Sequence, residues 1–171
     1  MHRLRKLVDS DPRSGRCLTR ATREDYYAPR VRGTGTSVMT QSSGGILPLR
    51  NNQDVVVCRQ AVRRLANESG FGVVGQTMLM TAASELARNT LKYGGGGHVI
   101  YEVIGGRSVG IRLVFVDHGP GIADIQQAMV DGWTSGRGMG LGLGGAKRLV
   151  HEFDIVSSSA ECTTVTVVRW K

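Results

Sequence analysis

Two β-branched runs, joined by a short link, constrain the fold of this chain more than any other feature. The first run, HVIYEVI, spans residues 98–104, and the second, VGIRLVFVD, spans residues 109–117. β-Branched residues favour strands, and the glycine-containing link GGRS favours a tight reversal between them. We therefore predict a β-hairpin here. The segments DIVSSSA and TTVTVVRW predict a second hairpin at the end of the chain.

Helical patterns occupy the residues on either side of the first hairpin. Asn51 or Asn52 is suited to cap a helix that runs to about Ser69, with apolar residues recurring along one face. A second helix is predicted over 74–93, because its apolar residues share one side and four consecutive glycines follow it. After the first hairpin we predict a short helix over 124–130. A further, amphipathic helix is predicted to follow the glycine-rich start of GMGLGLGGAKRLVHEF.

The order of these elements predicts the fold class. A short strand, ILPLR, precedes the helices, and its Pro48 suits the edge of a sheet. The order is then β-α-α-β-β-α-α-β-β. It favours an α+β fold, a two-layer sandwich with helices on one face of a mixed, mostly antiparallel sheet. We assign this domain to residues 46–171. Residues 1–45 are rich in Arg, Ser, Thr and Gly without sustained periodicity, and we predict a disordered basic extension there.

The charge and hydropathy of the chain bear on its partners. The net charge is +8, but residues 1–38 hold nine Lys/Arg against four Asp/Glu, so the remainder is nearly balanced. Basicity concentrated in a terminal segment does not predict a nucleic-acid partner. No apolar run approaches the roughly 18 residues of a membrane helix, and no apolar signal segment follows the basic start. We therefore expect a cytoplasmic protein that binds neither nucleic acid nor membrane.

Glu85 and Asn89 are the first candidate functional pair. They are four residues apart on the second predicted helix, so they share one face. A carboxylate there can accept a proton, and an amide oxygen can bind a hard cation such as Mg²⁺. An exposed pair of this kind is, on its own, usually without function.

The second candidate is Asp117 with Gly119 and Gly121, which close a predicted buried strand. A carboxylate at a strand end can accept a hydrogen bond from an amine such as adenine N6. The glycines allow the backbone to approach a flat ligand closely. A capped tight turn requires the same residue types, so this motif alone leaves both interpretations open.

The third candidate is the glycine-rich stretch GMGLGL, residues 138–143, followed by Lys147 and Arg148. A glycine-rich loop that opens a helix presents free N–H groups to phosphates, and basic residues neutralise them. A flexible linker is the alternative, although the helical pattern that follows disfavours it. The chain has no G-x-x-x-x-G-K-[ST] loop. The G-x-G-x-x-G at 140–145 follows a polar segment, not a strand, which excludes a dinucleotide site.

Together and in this order, the three motifs resemble the Bergerat-fold (GHKL) ATP-binding superfamily of gyrase-type ATPases, Hsp90, histidine kinases and MutL. The segments TAASELARN, DHGPGIADIQQAMVDGW and GLGLGGAKRLVHEFDI are most similar to RsbT-type serine/threonine switch kinases. The resemblance covers about residues 46–171. Anti-sigma factors of the RsbW type have different residues around the asparagine that corresponds to Asn89, which follows Arg88 in this chain. The resemblance thus implies a Bergerat-type fold.

The resemblance also implies a role for each motif residue. Glu85 would be the general base, Asn89 the ligand of Mg²⁺, and Asp117 the acceptor for the adenine amine. Gly119 and Gly121 would shape the floor of the base pocket. The residues that would close over the phosphates of ATP are Gly138, Gly140, Leu141, Gly142 and Leu143, with Lys147 beside them.

The implied activity is that of an ATP- and Mg²⁺-dependent serine/threonine protein kinase in a partner-switching module. Its substrate would be a STAS-domain antagonist, and its downstream target an RsbU-type phosphatase or a sigma-factor pathway. One alternative is an RsbW-like anti-sigma factor that sequesters a sigma factor. Another is an ATP-binding adaptor without phosphoryl transfer, which the presence of Glu85 disfavours.

Overall fold

The computed structural model describes residues 44–105, 108–130, 142–158 and 162–171. Within these ranges the elements follow the predicted order. They are β1 (Gly44–Leu49), α1 (Asn52–Glu68), α2 (Val73–Lys92), β2 (Gly97–Ile104), β3 (Gly110–Asp117), α3 (Ile125–Ala128), α4 (Gly142–Arg148), β4 (Glu152–Ser158) and β5 (Cys162–Trp170).

The strands form one sheet in the order β1-β2-β3-β5-β4. All neighbouring pairs among the described strands are antiparallel, so the sheet lacks the parallel component that "mixed" implied. The strand β1 lies at an edge, where the missing N–H of Pro48 is tolerated. The strand β3 lies at the centre and ends at Asp117, which places that residue in the middle of one end of the sheet.

The two long helices cover one face of the sheet. Oδ1 of Asn51 accepts hydrogen bonds from the main-chain N–H groups of Gln53 (2.8 Å) and Asp54 (3.1 Å), so Asn51 is the cap of α1. Apolar residues of α1 and α2 pack in one cluster with the inward-facing residues Leu113 and Phe115 of β3. The predicted α+β class with helices on one face is confirmed. None of the helices in the described ranges is long and apolar enough to cross a bilayer.

Two element boundaries differ from those predicted. The helix α4 ends at Arg148 and β4 begins at Glu152, whereas the sequence pattern predicts a helix that continues to Phe153. Phe153 instead pairs with Val167 of β5 and packs against the core, so strand pairing outweighs local helical periodicity there. The strand β1 begins at Gly44, two residues before the predicted domain boundary. The division of the chain into an extension and a domain stays a prediction, since residues 1–43 lie outside the described ranges.

Candidate functional site

One face of α2 lines a cavity of about 690 Å³. Glu85, Arg88, Asn89 and Lys92 all contribute to this lining, and their spacing places them on one side of a helix. Buried residues of α2, including Leu79 and Ala83, pack into the core and hold the helix in place. The structure therefore brings Glu85 and Asn89 to a cleft together, as their spacing indicated.

Glu85 is engaged by a neighbouring arginine. Nη1 of Arg88 donates to Oε1 of Glu85 at 2.8 Å. The Glu85 side chain is 15% exposed and that of Arg88 is 59% exposed. An ion pair this close to solvent contributes no more than about 1 kcal/mol to stability. Its more important effect is to orient the carboxylate at the wall of the cavity.

Asp117 also lines the cavity, in the part that we call the Asp117 wall, and it is buried. Its Oδ1 accepts the main-chain N–H of Gly119 at 3.0 Å, and the main-chain N–H of Thr163 also donates to the carboxylate. Burial raises the pKa of Asp117 above its ordinary value. The two main-chain hydrogen bonds and nearby His118 partly oppose that rise. A buried carboxylate that lines a cavity is suited to accept a hydrogen bond from a ligand.

Two glycines allow the end of α2 to pack against the end of β3. A Cβ added to Gly94 would lie 2.3 Å from Cβ and Cγ of Asp117. A Cβ added to Gly119 would lie 2.6 Å from Cα of Gly94. Gly121 has φ 76° and Gly142 has φ 60°, the left-handed region that favours glycine. The glycines of the strand-end motif therefore set the shape of this wall.

Replacing Gly94 with Ala is expected to destabilise the protein by about 1–3 kcal/mol, because the new methyl group overlaps the side chain of Asp117. Urea denaturation measures the effect. Gly105→Ala is the control, since a Cβ there meets no atom within 4 Å. Equal stability of the two variants would show that the packing against Asp117 is easily relaxed.

The predicted site residues are placed as follows. Glu85, Asn89, Asp117, Gly121, Gly142 and Leu143 line the same cavity. Gly119 supports the site from behind through its bond to Asp117. Lys147 lies on the exposed side of α4, outside the cavity lining, so the described geometry adds no support for its predicted role. Gly138, Gly140 and Leu141 lie outside the described residues.

Other lining residues were not predicted from the sequence. Lys92 follows Asn89 by three positions on α2, so helical spacing alone contained the signal for it. Tyr93 comes next, at the end of that helix, and Lys92 Nζ lies 4.8 Å from its ring centroid. Thr163 reaches the cavity because β5 pairs with β3 in the register that sets Thr163 opposite Asp117. No local pattern in the sequence specifies that register.

The family model described as histidine kinase-, DNA gyrase B-, and HSP90-like ATPase matches residues 75–171. The chain belongs to this ATPase family. The match extends from α2 through β5 and so includes the elements that form both walls of the cavity. The predicted membership of the Bergerat-fold superfamily is thereby confirmed.

A curated relative narrows the assignment of this chain within the ATPase family. This chain is 42% identical over 118 residues to the serine/threonine-protein kinase RsbT of Bacillus subtilis (strain 168). The aligned region covers 68% of this chain and 89% of the relative. The chain is therefore a homologue of a serine/threonine protein kinase and carries an ATPase domain. The predicted similarity to RsbT-type kinases is confirmed.

Two solved structures are more distant from this chain. The mycobacterial sensor histidine kinase MprB is 18% identical to this chain, with a TM-score of 0.45. The match covers 74% of this chain and 97% of the MprB chain. The histidine kinase domain of the blue-light-activated kinase EL346 from Erythrobacter litoralis is 16% identical with a TM-score of 0.42. It covers 71% of this chain and 60% of its own.

Proposed function

We propose that this chain is a cytoplasmic, ATP- and Mg²⁺-dependent serine/threonine kinase of a partner-switching module, with a STAS-domain antagonist as its substrate. The observation that carries the proposal is that Glu85 and Asn89 line one cavity with the buried acceptor Asp117. A volume of about 690 Å³ is typical of cavities that bind small ligands. The relation to a named serine/threonine kinase supports this activity over others of the ATPase family.

The cavity is suited to hold a nucleotide in one orientation, with its base at one end and its phosphates at the other. The base-binding end is the Asp117 wall, close to Tyr93 and Gly94 at the end of α2. Glu85 lies eight residues before Tyr93, so about 12 Å separate the two ends along the helix at 1.5 Å per residue. That separation is comparable with the length of an extended nucleoside triphosphate. ATP would therefore place its base at Asp117 and its terminal phosphate near Glu85.

The phosphate end carries groups that suit a magnesium-bound triphosphate. Arg88, which is hydrogen-bonded to Glu85, lines the cavity and supplies positive charge at this end. The amide oxygen of Asn89 would hold Mg²⁺, a cation that commonly takes few protein ligands and completes its shell with phosphate oxygens and waters. When bound, Mg²⁺ would neutralise negative charge on the phosphates. Gly142 and Leu143 also line the cavity and stay candidates for phosphate contact.

Glu85 would act as the general base of the transfer. A serine or threonine hydroxyl of the partner loses its proton to Glu85 as its oxygen bonds to the γ-phosphorus of ATP. The bond from that phosphorus to the β-γ bridging oxygen breaks, and ADP leaves. Arg88 would keep the Glu85 carboxylate oriented during this step. Positioning and charge neutralisation supply most of the remaining rate enhancement.

The product would change the partner's affinity for the kinase. A phosphoryl group adds about 1.5–2 negative charges at pH 7 and three acceptor oxygens to the antagonist. We propose that this charge releases the antagonist. The freed kinase then engages an RsbU-type phosphatase or acts on a sigma-factor pathway, as the RsbT-type family membership supports.

The experiment that tests this function is transfer of labelled γ-phosphate from MgATP to a purified STAS-domain protein encoded near this chain. We expect label on the STAS-domain protein, and none on a variant whose acceptor hydroxyl residue is replaced by Ala. ATP binding without transfer to either of two such proteins, together with a stable sigma-factor complex in a pull-down, would support an anti-sigma factor in its place.

A further inference from the structure

Ser157 on β4 is hydrogen-bonded to three groups behind the Asp117 wall of the cavity. Its Oγ accepts the main-chain N–H of Ile122 at 2.8 Å. The same oxygen lies 2.9 Å from Oγ1 of Thr163 and 3.3 Å from the carbonyl oxygen of Cys162. Ser157 does not line the cavity and belongs to none of the three sequence motifs.

Two of the three partners of Ser157, Ile122 and Thr163, line the cavity. Ile122 lies between β3 and α3, on a segment that lines the cavity from Pro120 to Asp124. Its bond to Ser157 joins residues 35 positions apart and ties this segment to the last hairpin. Thr163 lines the cavity opposite Asp117 and donates its main-chain N–H to that carboxylate. Ser157 therefore links two parts of the wall that come from different regions of the chain.

A serine hydroxyl can make all three contacts as hydrogen bonds at once only when Thr163 donates to it. A hydroxyl donates one hydrogen bond and accepts up to two. The N–H of Ile122 uses one acceptor position. If Thr163 donates to Ser157, the Ser157 proton goes to the Cys162 carbonyl and Thr163 offers only lone pairs to the cavity. If Ser157 donates to Thr163, the Thr163 proton is free to point into the cavity. In both cases Ser157 occupies one hydrogen-bonding position of the Thr163 hydroxyl and so limits what that hydroxyl presents to a ligand.

We infer that Ser157 is a positioning residue for nucleotide binding, acting through Ile122 and Thr163. The inference rests on the nucleotide site of the proposed function, but not on phosphoryl transfer. Removing the hydroxyl leaves the Ile122 N–H without its acceptor and lets the 120–124 segment move away from the hairpin. The base-binding wall loses its preformed shape, and binding must then order it again.

The test is the dissociation constant of ADP, measured by titration calorimetry on the full chain well below the unfolding temperature. For Ser157→Ala we expect ADP to bind about tenfold more weakly than to the wild type. Ser157→Thr restores the hydroxyl and is expected to bind within about threefold of the wild type. Thr77→Val is the matched control, because that hydroxyl bonds only the carbonyl of Val73 at the far end of α2, and its affinity should be unchanged.

A double-mutant cycle separates positioning from a general loss of stability. If Ser157 acts through Thr163, the effects of Ser157→Ala and Thr163→Val on ADP affinity will be less than additive. A purely structural role predicts a lower unfolding temperature with unchanged ADP affinity, and that result would overturn the inference. If Ser157→Ala does not fold, Ser157→Cys has similar shape with weaker hydrogen bonding and carries the same expectation.

The same titration distinguishes this inference from the proposed function. Suppose that the wild type binds ADP and that the dissociation constant of Ser157→Ala is within twofold of the wild-type value. That result would refute the positioning role and leave the kinase proposal unaffected. Wild-type chain that binds no ADP would refute the nucleotide site itself, and both proposals with it.

Discussion

Glu85→Gln is expected to lower the rate of phosphoryl transfer by about 10²–10⁴-fold while leaving the affinity for ATP within about twofold. The carboxylate is the group proposed to take the proton from the attacking hydroxyl, and an amide cannot take it. The affinity is kept because Gln has the same shape and retains an oxygen to which Arg88 donates. Single-turnover transfer of labelled phosphate to the proposed STAS-domain substrate measures the chemical step, and a separate titration measures binding.

The stability of this variant should change little. The Glu85–Arg88 pair is partly exposed, and such pairs contribute no more than about 1 kcal/mol. Glu68→Gln is the matched control, because it makes the same change of charge and shape at an exposed residue at the end of α1, outside the cavity. A Glu85→Gln variant with transfer within about threefold of the Glu68→Gln control would show that Glu85 is not the base.

The parts of the site that the sequence predicted are those specified by local spacing. Glu85 and Asn89 share a helix face because they are four residues apart, and any amphipathic helix at that position presents both to one side. Asp117 could be placed at a strand end because the apolar run stops there and glycines follow it. In each case the prediction depends only on residues within one helix or strand, and the structure contains that helix or strand.

The parts that the sequence did not predict depend on pairing between distant elements. Thr163 and Ser157 join the site only through the registers of β5 with β3 and β4, which place them behind and beside Asp117. The start of β4 was missed for the same reason, since Phe153 fits a helical period but pairs with Val167. Gly94 looked like a helix stop, and its close approach to Asp117 is visible only once α2 and β3 are packed together.

Asp117→Asn is expected to weaken ADP binding by about 100-fold without unfolding the protein. The carboxylate is the proposed acceptor for the adenine amine, and the Asn side chain puts an NH₂ donor where one carboxylate oxygen was. Two donors then face each other in a buried site, which costs more than a lost neutral hydrogen bond. Calorimetric titration with ADP measures the change. Asp154→Asn is the control, since that residue is exposed on β4 and outside the cavity lining.

The stability of Asp117→Asn should depend on pH in a defined direction. Because burial raises the pKa of Asp117 in the folded state, its carboxyl group favours folding most strongly at low pH. That contribution is lost as the pH rises through the raised pKa. The Asn variant lacks this dependence, so its unfolding temperature relative to the wild type should increase as the pH rises from about 4 to 7. Thermal unfolding across that range measures the difference.

The two measurements on Asp117→Asn together distinguish a binding residue from a structural one. If Asp117 mainly holds the Gly119 turn, the variant should lose stability at pH 7, and its ADP affinity should fall only as far as the folded fraction falls. If the role of Asp117 is to bind the ligand, burying its charged carboxylate costs stability, and Asn removes that cost. The variant should then be at least as stable as the wild type at pH 7 and yet bind ADP poorly. Weak binding in a chain of equal or greater stability therefore has no structural explanation, and it would assign Asp117 to the base of the nucleotide.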